Sequence, residues 1–412
     1  MQRTLTMSNR IKLSAMMFLQ FMMFAVFWGA LATYVTNQKW DSMKPWILST
    51  MPLGALASPV MGMIADRFYN SEKVLAMSNL VVAVLLFMAG RASGSTEVFV
   101  YLLLALLFYM PSWGLTATIA MANSPAEQFP QIRVFGSIGW VASMLFSIVA
   151  LNLFGTTIDG TSIPFYCGSA VAVLGAVVAW MCPATPPQGT SRKFSVIDAL
   201  GLRSVALMKD RNFAVFMLVS MLAMIPFNIH FAFLSDFLAA KGFKLLTATN
   251  YIGQAGEMGF MLLVTVAMRR FGVKWSIVAG LAAMVVRYAA YYLGAGDMMP
   301  AIYVGILVHG IIFGFFIVGG QVYIGKTAPA DMQGQAQGFY ALMTFGVGSL
   351  IGTFVNNAMI NCYTTRNAQG LLIGEWDKVW MISAASSVVL LVIMALLFNP
   401  KLETPNASSS NG

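Results

Sequence analysis

Charge is scarce in this sequence. Asp, Glu, Lys and Arg make up 9% of the 412 residues, whereas 58% are hydrophobic; soluble domains carry roughly 25% charge. A water-soluble globule is excluded, and so is a disordered chain. A nucleic-acid-binding domain is excluded too, because the 24 Lys and Arg lie scattered between long apolar runs and form no basic face. Cysteine is nearly absent: Cys167, Cys182 and Cys362 are far apart. They offer neither metal-ligand spacing nor a disulfide framework, so no metal and no cofactor is expected. No cleavable leader is expected either. The first apolar run, about 14–35, exceeds a signal h-region and has no small-residue cleavage pattern behind it. It reads as a first membrane span.

What the sequence has in abundance is long apolar runs. A hydrocarbon core of about 30 Å takes roughly 20 apolar residues in a helix whose backbone polar groups are satisfied internally. Such runs predict twelve spans, at about 12–35, 44–65, 73–90, 97–122, 131–154, 162–182, 212–239, 247–269, 275–293, 299–327, 334–356 and 378–398. One long polar interruption, 183–211, divides them. The expected architecture is an all-α membrane protein with twelve transmembrane helices in two six-helix bundles. Residues 1–182 form the first bundle, 183–211 a connector, 212–398 the second bundle and 399–412 a tail. In the connector, Phe194, Ile197, Leu200, Val205 and Met208 recur at helical intervals beside Arg192, Lys193, Arg203, Lys209 and Arg211. That pattern fits an interfacial amphipathic helix; a solvated loop is the alternative.

Lys and Arg counts set the orientation. With a cytoplasmic amino terminus, inner segments carry sixteen of the 24, outer segments seven, and Arg287 lies inside a span. Both termini are therefore expected in the cytoplasm. Two six-span halves joined by a basic loop are the arrangement of transporters built from repeats, with a substrate site near the midplane. After span two, Gly62-Met-Ile-Ala-Asp66-Arg67 is similar to the loop signature of the major facilitator superfamily, and Arg269-Arg270-Phe-Gly-Val-Lys274 occupies the matching place in the second half. Asp66 suits a helix end and Arg67 the inner headgroups; a plain inter-helix anchor explains the string equally well.

Ionisable groups inside spans are costly and mark functional positions. Among the acids, Glu257 alone reads as lying well inside a span, one turn after Gln254. Arg287 lies in the next span. Glu257 suits a proton carrier, because burial and a nearby cation act oppositely on a carboxyl; the alternative is a permanent ion pair with Arg287 that ties spans eight and nine together. In span five, Arg133, Ser137 and Trp140 follow at i, i+4 and i+7, one helical stripe. A guanidinium, a hydroxyl and an indole there suit a polar ligand with a flat ring, while snorkelling by Arg133 and packing by Trp140 are the plainer reading. In span seven, Pro226 permits a bend, and Asn228 and His230 cannot both face one cavity; Asn228 is preferred. His230 and His309 are read either as groups that titrate near neutral pH or as inter-helix hydrogen-bonding residues, and Gln20 faces either a cavity or a neighbouring helix.

These strings resemble one family, the bacterial nucleoside:proton symporters of the major facilitator superfamily. The likeness runs through Phe18-Leu-Gln20-Phe, Ala65-Asp66-Arg67-Phe, Tyr109-Met-Pro111, Phe129-Pro-Gln-Ile-Arg133-Val-Phe-Gly-Ser137-Ile-Gly-Trp140, Leu207-Met-Lys-Asp-Arg-Asn-Phe213, Gly253-Gln254-Ala-Gly-Glu257 and Gln335-Ala-Gln-Gly338. It implies nucleoside uptake across the inner membrane, driven by protons, by a protein expected to act as a monomer in lipid. It implies that Arg133 and Ser137 lie near sugar hydroxyls, that Trp140 and Phe313 contact substrate, that Asn228, Gln254 and Glu257 form a polar site, and that Gly62, Asp66, Arg67 and Arg287 serve conformation. The chain departs from the family pattern at Ala117, at Phe231 and at Gly314, where an acid follows the aromatic in other members. A sugar or polyol is the alternative substrate. A membrane enzyme needs a nucleophile, metal cluster or acid–base pair at one depth, and the sequence has none.

Overall fold

In the computed structural model, residues 6–57, 68–125, 128–187, 202–329, 333–368 and 370–400 are described. Helix dominates, and ten helices among the described residues are long and apolar enough to cross a membrane. We number the elements α1 (Met7–Asn37), α2 (Lys44–Ala55), α3 (Ser71–Arg91), α4 (Ser95–Ala122), α5 (Phe129–Ala142), α6 (Met144–Phe154), α7 (Ile163–Trp180), α8 (Arg211–Ala240) and α9 (Leu246–Ala295). They continue with α10 (Met299–Thr327), α11 (Ala336–Tyr363) and α12 (Trp376–Leu397). A small hairpin, β1 (Thr364–Arg366) with β2 (Leu372–Gly374), joins α11 to α12.

The surface explains the composition. Leu153, Phe154, Val84, Leu174, Val389 and Leu396 are all more than half exposed, a density of outward apolar side chains that a soluble monomer does not present. Their solvent is lipid. With no hydrophobic drive between helices in lipid, close packing depends on small residues. A Cβ on Gly139 of α5 would fall 2.1 Å from the Phe18 carbonyl of α1, and one on Gly280 of α9 would fall 2.5 Å from the Phe316 nitrogen of α10. Backbone therefore meets backbone at both crossings.

Three departures from the sequence reading have physical causes. The expected spans 247–269 and 275–293 correspond to the two helical limbs labelled together as α9, which are separated only at the non-helical Gly272 (φ 79°, ψ 168°), where only glycine adopts the backbone without strain. The separating loop shrinks to a kink. In α10 and α11, Ile312–Val318 and Leu342–Gly348 are π-helical, a widening that hydropathy does not report and that recurs at functional sites. Of the connector, residues 188–201 lie outside the described residues, with most of the expected amphipathic stripe, and Leu202–Lys209 is a 3₁₀ helix. Gly62, Asp66 and Arg67, the far end of the expected second span and the tail beyond residue 400 also lie outside the described residues.

Candidate substrate cavity

Sequence order puts Arg133, Ser137 and Trp140 on one stripe of α5, and the fold turns that stripe inward. All three line a cavity of about 200 Å³, far beyond the roughly 15 Å³ one water needs. Facing them are Asn228 from α8, Gln254 and Glu257 from α9 and Phe313 from α10. Residues before and after the connector thus share one chamber, and every substrate-contact candidate read from the sequence lies on its wall. Pro226 interrupts α8 just before Asn228. The adjacent carbonyls are occupied from neighbouring helices: Asn356 donates to Ile225 at 2.8 Å, and the Tyr288 hydroxyl donates to Pro226.

Aromatic side chains are the largest group on the wall. Phe21, Phe24, Trp28 and Trp113 from α1 and α4 join Trp140, Phe227, Phe231 and Phe313. The Arg133 guanidinium sits 4.4 Å from the Phe21 ring centre, and the Trp140 ring is tilted against Phe24 at 5.6 Å and Tyr251 at 6.1 Å. Sequence spacing gave no pointer to the α1 aromatics, because a Phe- and Trp-rich span reads as lipid-facing until its partners are known. Polar groups on the wall are few, and several lack a protein partner: Trp140 Nε1, Asn228 Nδ2 and Gln254 Oε1 are buried without one. Buried polar atoms cost free energy unless bonded, so two donors and an acceptor on this wall are free for a polar solute. Glu257 is the one carboxylate among the described lining residues.

Arg287 does not touch Glu257. Fully buried behind the chamber, it donates to Gly305 O at 3.3 Å and to Nδ1 of His309 at 2.8 Å. His309 lines the chamber, and its Nε2 lies 3.7 Å from Glu257 Oε2 and 3.3 Å from Gln254 Nε2. The direct ion pair weighed in the sequence reading is replaced by an imidazole standing between the two charges. His230 lies behind this layer, stacked on His309 at 5.5 Å and bonded to the Tyr291 hydroxyl at 3.0 Å. Gln20 is no wall residue; it donates to Ser112 and accepts from Asn79 inside the packing of α1, α3 and α4.

Sequence reading also passed over a buried charge pair. Lys44, counted there among outer-loop cations, is 1% exposed and bonds Asp236, 3% exposed, at 2.5 Å. Its other contacts are Thr36 Oγ1 at 2.8 Å and the Phe233 ring at 4.3 Å. The signal was available: Asp236 interrupts Phe-Leu-Ser-Asp-Phe-Leu, an otherwise nearly apolar run. At the same end Asp41 accepts from Arg366 through both carboxylate oxygens, and Asp159 accepts from the Thr247 backbone at 3.1 Å. The Lys44–Asp236, Asp41–Arg366 and Asp159–Thr247 contacts each join a residue before the connector to one after it.

The family model described as nucleoside H+ symporter matches residues 7–403. The chain is 31% identical over 401 residues to the putative nucleoside transporter YegT of Escherichia coli, covering 95% of this chain and 94% of the relative. It is 27% identical to the nucleoside permease NupG of the same organism, over 96% and 97% of the two chains. The crystal structure of the nucleoside transporter NupG superposes with a TM-score of 0.82 at 26% identity, covering 96% of this chain and all of that one. The chain belongs to the nucleoside H+ symporter family, whose members are multi-pass membrane transporters and not enzymes.

Proposed function

We propose that the protein imports nucleosides with protons by alternating access, binding the nucleoside in the shared chamber and carrying the proton on Glu257. One observation carries this reading: an aromatic-rich chamber, built from residues on both sides of the connector, contains one carboxylate among the described lining residues, with a guanidinium, a hydroxyl and free amides around it. Aromatic faces stack on a flat base, and the polar groups serve a ribose and the base edge. In this reading Arg133 and Ser137 hold sugar hydroxyls, Trp140 and Phe313 stack, and Asn228 and Gln254 bond the base. Gly62, Asp66, Arg67 and Arg287 support the conformational change. The chain forms two six-helix bundles, 1–182 and 212–398, that rock about the chamber, with residues 183–211 as the cytoplasmic link. Both termini face the cytoplasm of the bacterial inner membrane, and the protein works in lipid as a monomer. The end bolted by Lys44–Asp236 is then periplasmic.

The test is uptake of a labelled nucleoside panel into vesicles with and without an imposed pH gradient. Gradient-dependent accumulation of unmodified nucleoside is expected. Glu257→Gln is expected to abolish uphill accumulation while sparing counterflow exchange; accumulation that persists in that variant assigns the proton elsewhere. A sugar or polyol as substrate predicts accumulation that is indifferent to Trp140.

A further inference from the structure

The imidazole between Glu257 and Arg287 has a fixed chemical form. Arginine only donates, so a 2.8 Å contact from the Arg287 guanidinium makes Nδ1 of His309 the acceptor. The proton of the neutral ring is therefore on Nε2, and that N–H points into the chamber between two groups one helical turn apart. Gln254 is 3.3 Å away and Glu257 3.7 Å away. Toward a donor the Gln254 amide must present its oxygen; turning it brings in Oε1, which otherwise lacks a partner. One N–H thus has two acceptors within reach and serves one at a time.

We propose that His309, held as the Nε2–H form by Arg287, is a positioning residue that couples the protonation of Glu257 to the nucleoside-binding amide of Gln254. This rests on Glu257 being the proton carrier. With Glu257 ionised, a small rotation closes 3.7 Å to a hydrogen bond, since a charged acceptor outcompetes a neutral one. The Gln254 amide is then left without its His309 partner and is free to turn. With Glu257 protonated, His309 returns to Gln254 Oε1 and fixes that amide with its NH2 group turned to the solute, so the proton-loaded form presents an oriented donor to the nucleoside. The same link lets Arg287 feel Glu257: among the described residues no carboxylate lies within ion-pair distance of this buried guanidinium, and the imidazole passes on the polarisation of the nearest one.

The surroundings allow this assignment. Besides His309, Glu257 faces Arg133 from α5, which acts on it through space. His309 faces Glu257 from its own chamber side, Arg287 from the second limb of α9 and His230 from α8, with Tyr291 beyond His230. Tyr288 neighbours Arg287 and spends its hydroxyl hydrogen on Pro226. None of these groups donates to Glu257 in place of His309 in the described structure.

The experiment uses the full protein in proteoliposomes, with uridine and adenosine as probes, and reads the pH midpoint of binding and uptake in three variants. His309→Leu removes the donor; because the donor favours the carboxylate, its loss is expected to move the midpoint upward by about one pH unit, a tenfold change in protonation. His309→Gln, which can accept from Arg287 and donate to Glu257, is expected to restore the wild-type midpoint. Glu257→Gln is expected to be flat with pH. If Glu257→Gln keeps its pH dependence, the carrier reading fails, whatever His309 does. If Glu257→Gln is flat while His309→Leu leaves the midpoint unmoved, or lowers it as direct Arg287–Glu257 contact would, the coupling role fails alone. A readout independent of His309 variants is the ¹⁵N spectrum of His230→Gln protein, in which His309 is the sole imidazole. A protonated Nε2 with a bare Nδ1 is expected, and the opposite tautomer overturns the proposal.

Discussion

At the scale of single residues, the chamber separates contributions that sequence spacing lumps together. Trp140 lines the chamber, with its ring tilted against Phe24 and Tyr251 and an unpartnered Nε1. Stacking of a base on an aromatic ring is worth about 1–3 kcal/mol by alanine substitution, so Trp140→Ala is expected to weaken both purine and pyrimidine nucleosides by roughly tenfold or more. Trp140→Phe should recover most of that loss. Isothermal titration of the detergent-solubilised protein decides: a folded Trp140→Ala variant with unchanged affinity removes the stacking role. The stripe of Arg133, Ser137 and Trp140 was legible because helical spacing alone aligns i, i+4 and i+7. His309 was not, because no periodicity reveals that two separate spans place an arginine on one ring nitrogen and a glutamate near the other.

At the scale of elements, α9 and α10 hold Glu257 and His309 together by touching backbone to backbone. A Cβ on Gly310 would lie 2.7 Å from Glu257 Cα and 2.9 Å from Glu257 N, and one on Gly253 would lie 2.6 Å from Ile306 O and 3.0 Å from His309 Cβ. Main chain cannot yield as a side chain can, so Gly310→Ala is expected to push the helices apart. Overpacking of this kind costs about 1–3 kcal/mol. It should lower the melting temperature and reduce uptake more than tenfold, because His309 loses its reach to Glu257. Gly259, two residues past Glu257, is the matched control: its Cβ would meet nothing within 4 Å, and Gly259→Ala should transport normally. Equal behaviour of the two variants would remove the contact's importance. The existence of these helices was readable from hydropathy, which registers burial in lipid. The Gly272 kink and the two π-helical turns were not, since each depends on backbone accommodation between neighbours after the helices have packed.

At the scale of the whole molecule, the Lys44–Asp236 pair joins α2 to α8 beside the Asp41–Arg366 fork and the Asp159–Thr247 bond. Alternating access requires this end to open, which returns both charges of the buried pair to water. Removing one partner strands the other, at a cost of about 3–5 kcal/mol to the closed state, enough to shift a two-state population more than a hundredfold. Asp236→Asn should therefore favour the form open at this end. The double variant Lys44→Met with Asp236→Leu should stay closed, because apolar replacement of a buried pair is often neutral or stabilising. Spin labels at Thr156 and Lys244, exposed at this end on opposite sides of the connector, report the result in protein whose three cysteines have been replaced. A longer distance in Asp236→Asn, a short one in the double variant, and uptake reduced in both assign the pair to gating: one variant cannot close and the other cannot open. The same short distance in wild type and both variants, with uptake unchanged, would leave Lys44–Asp236 a structural tie that never breaks during transport.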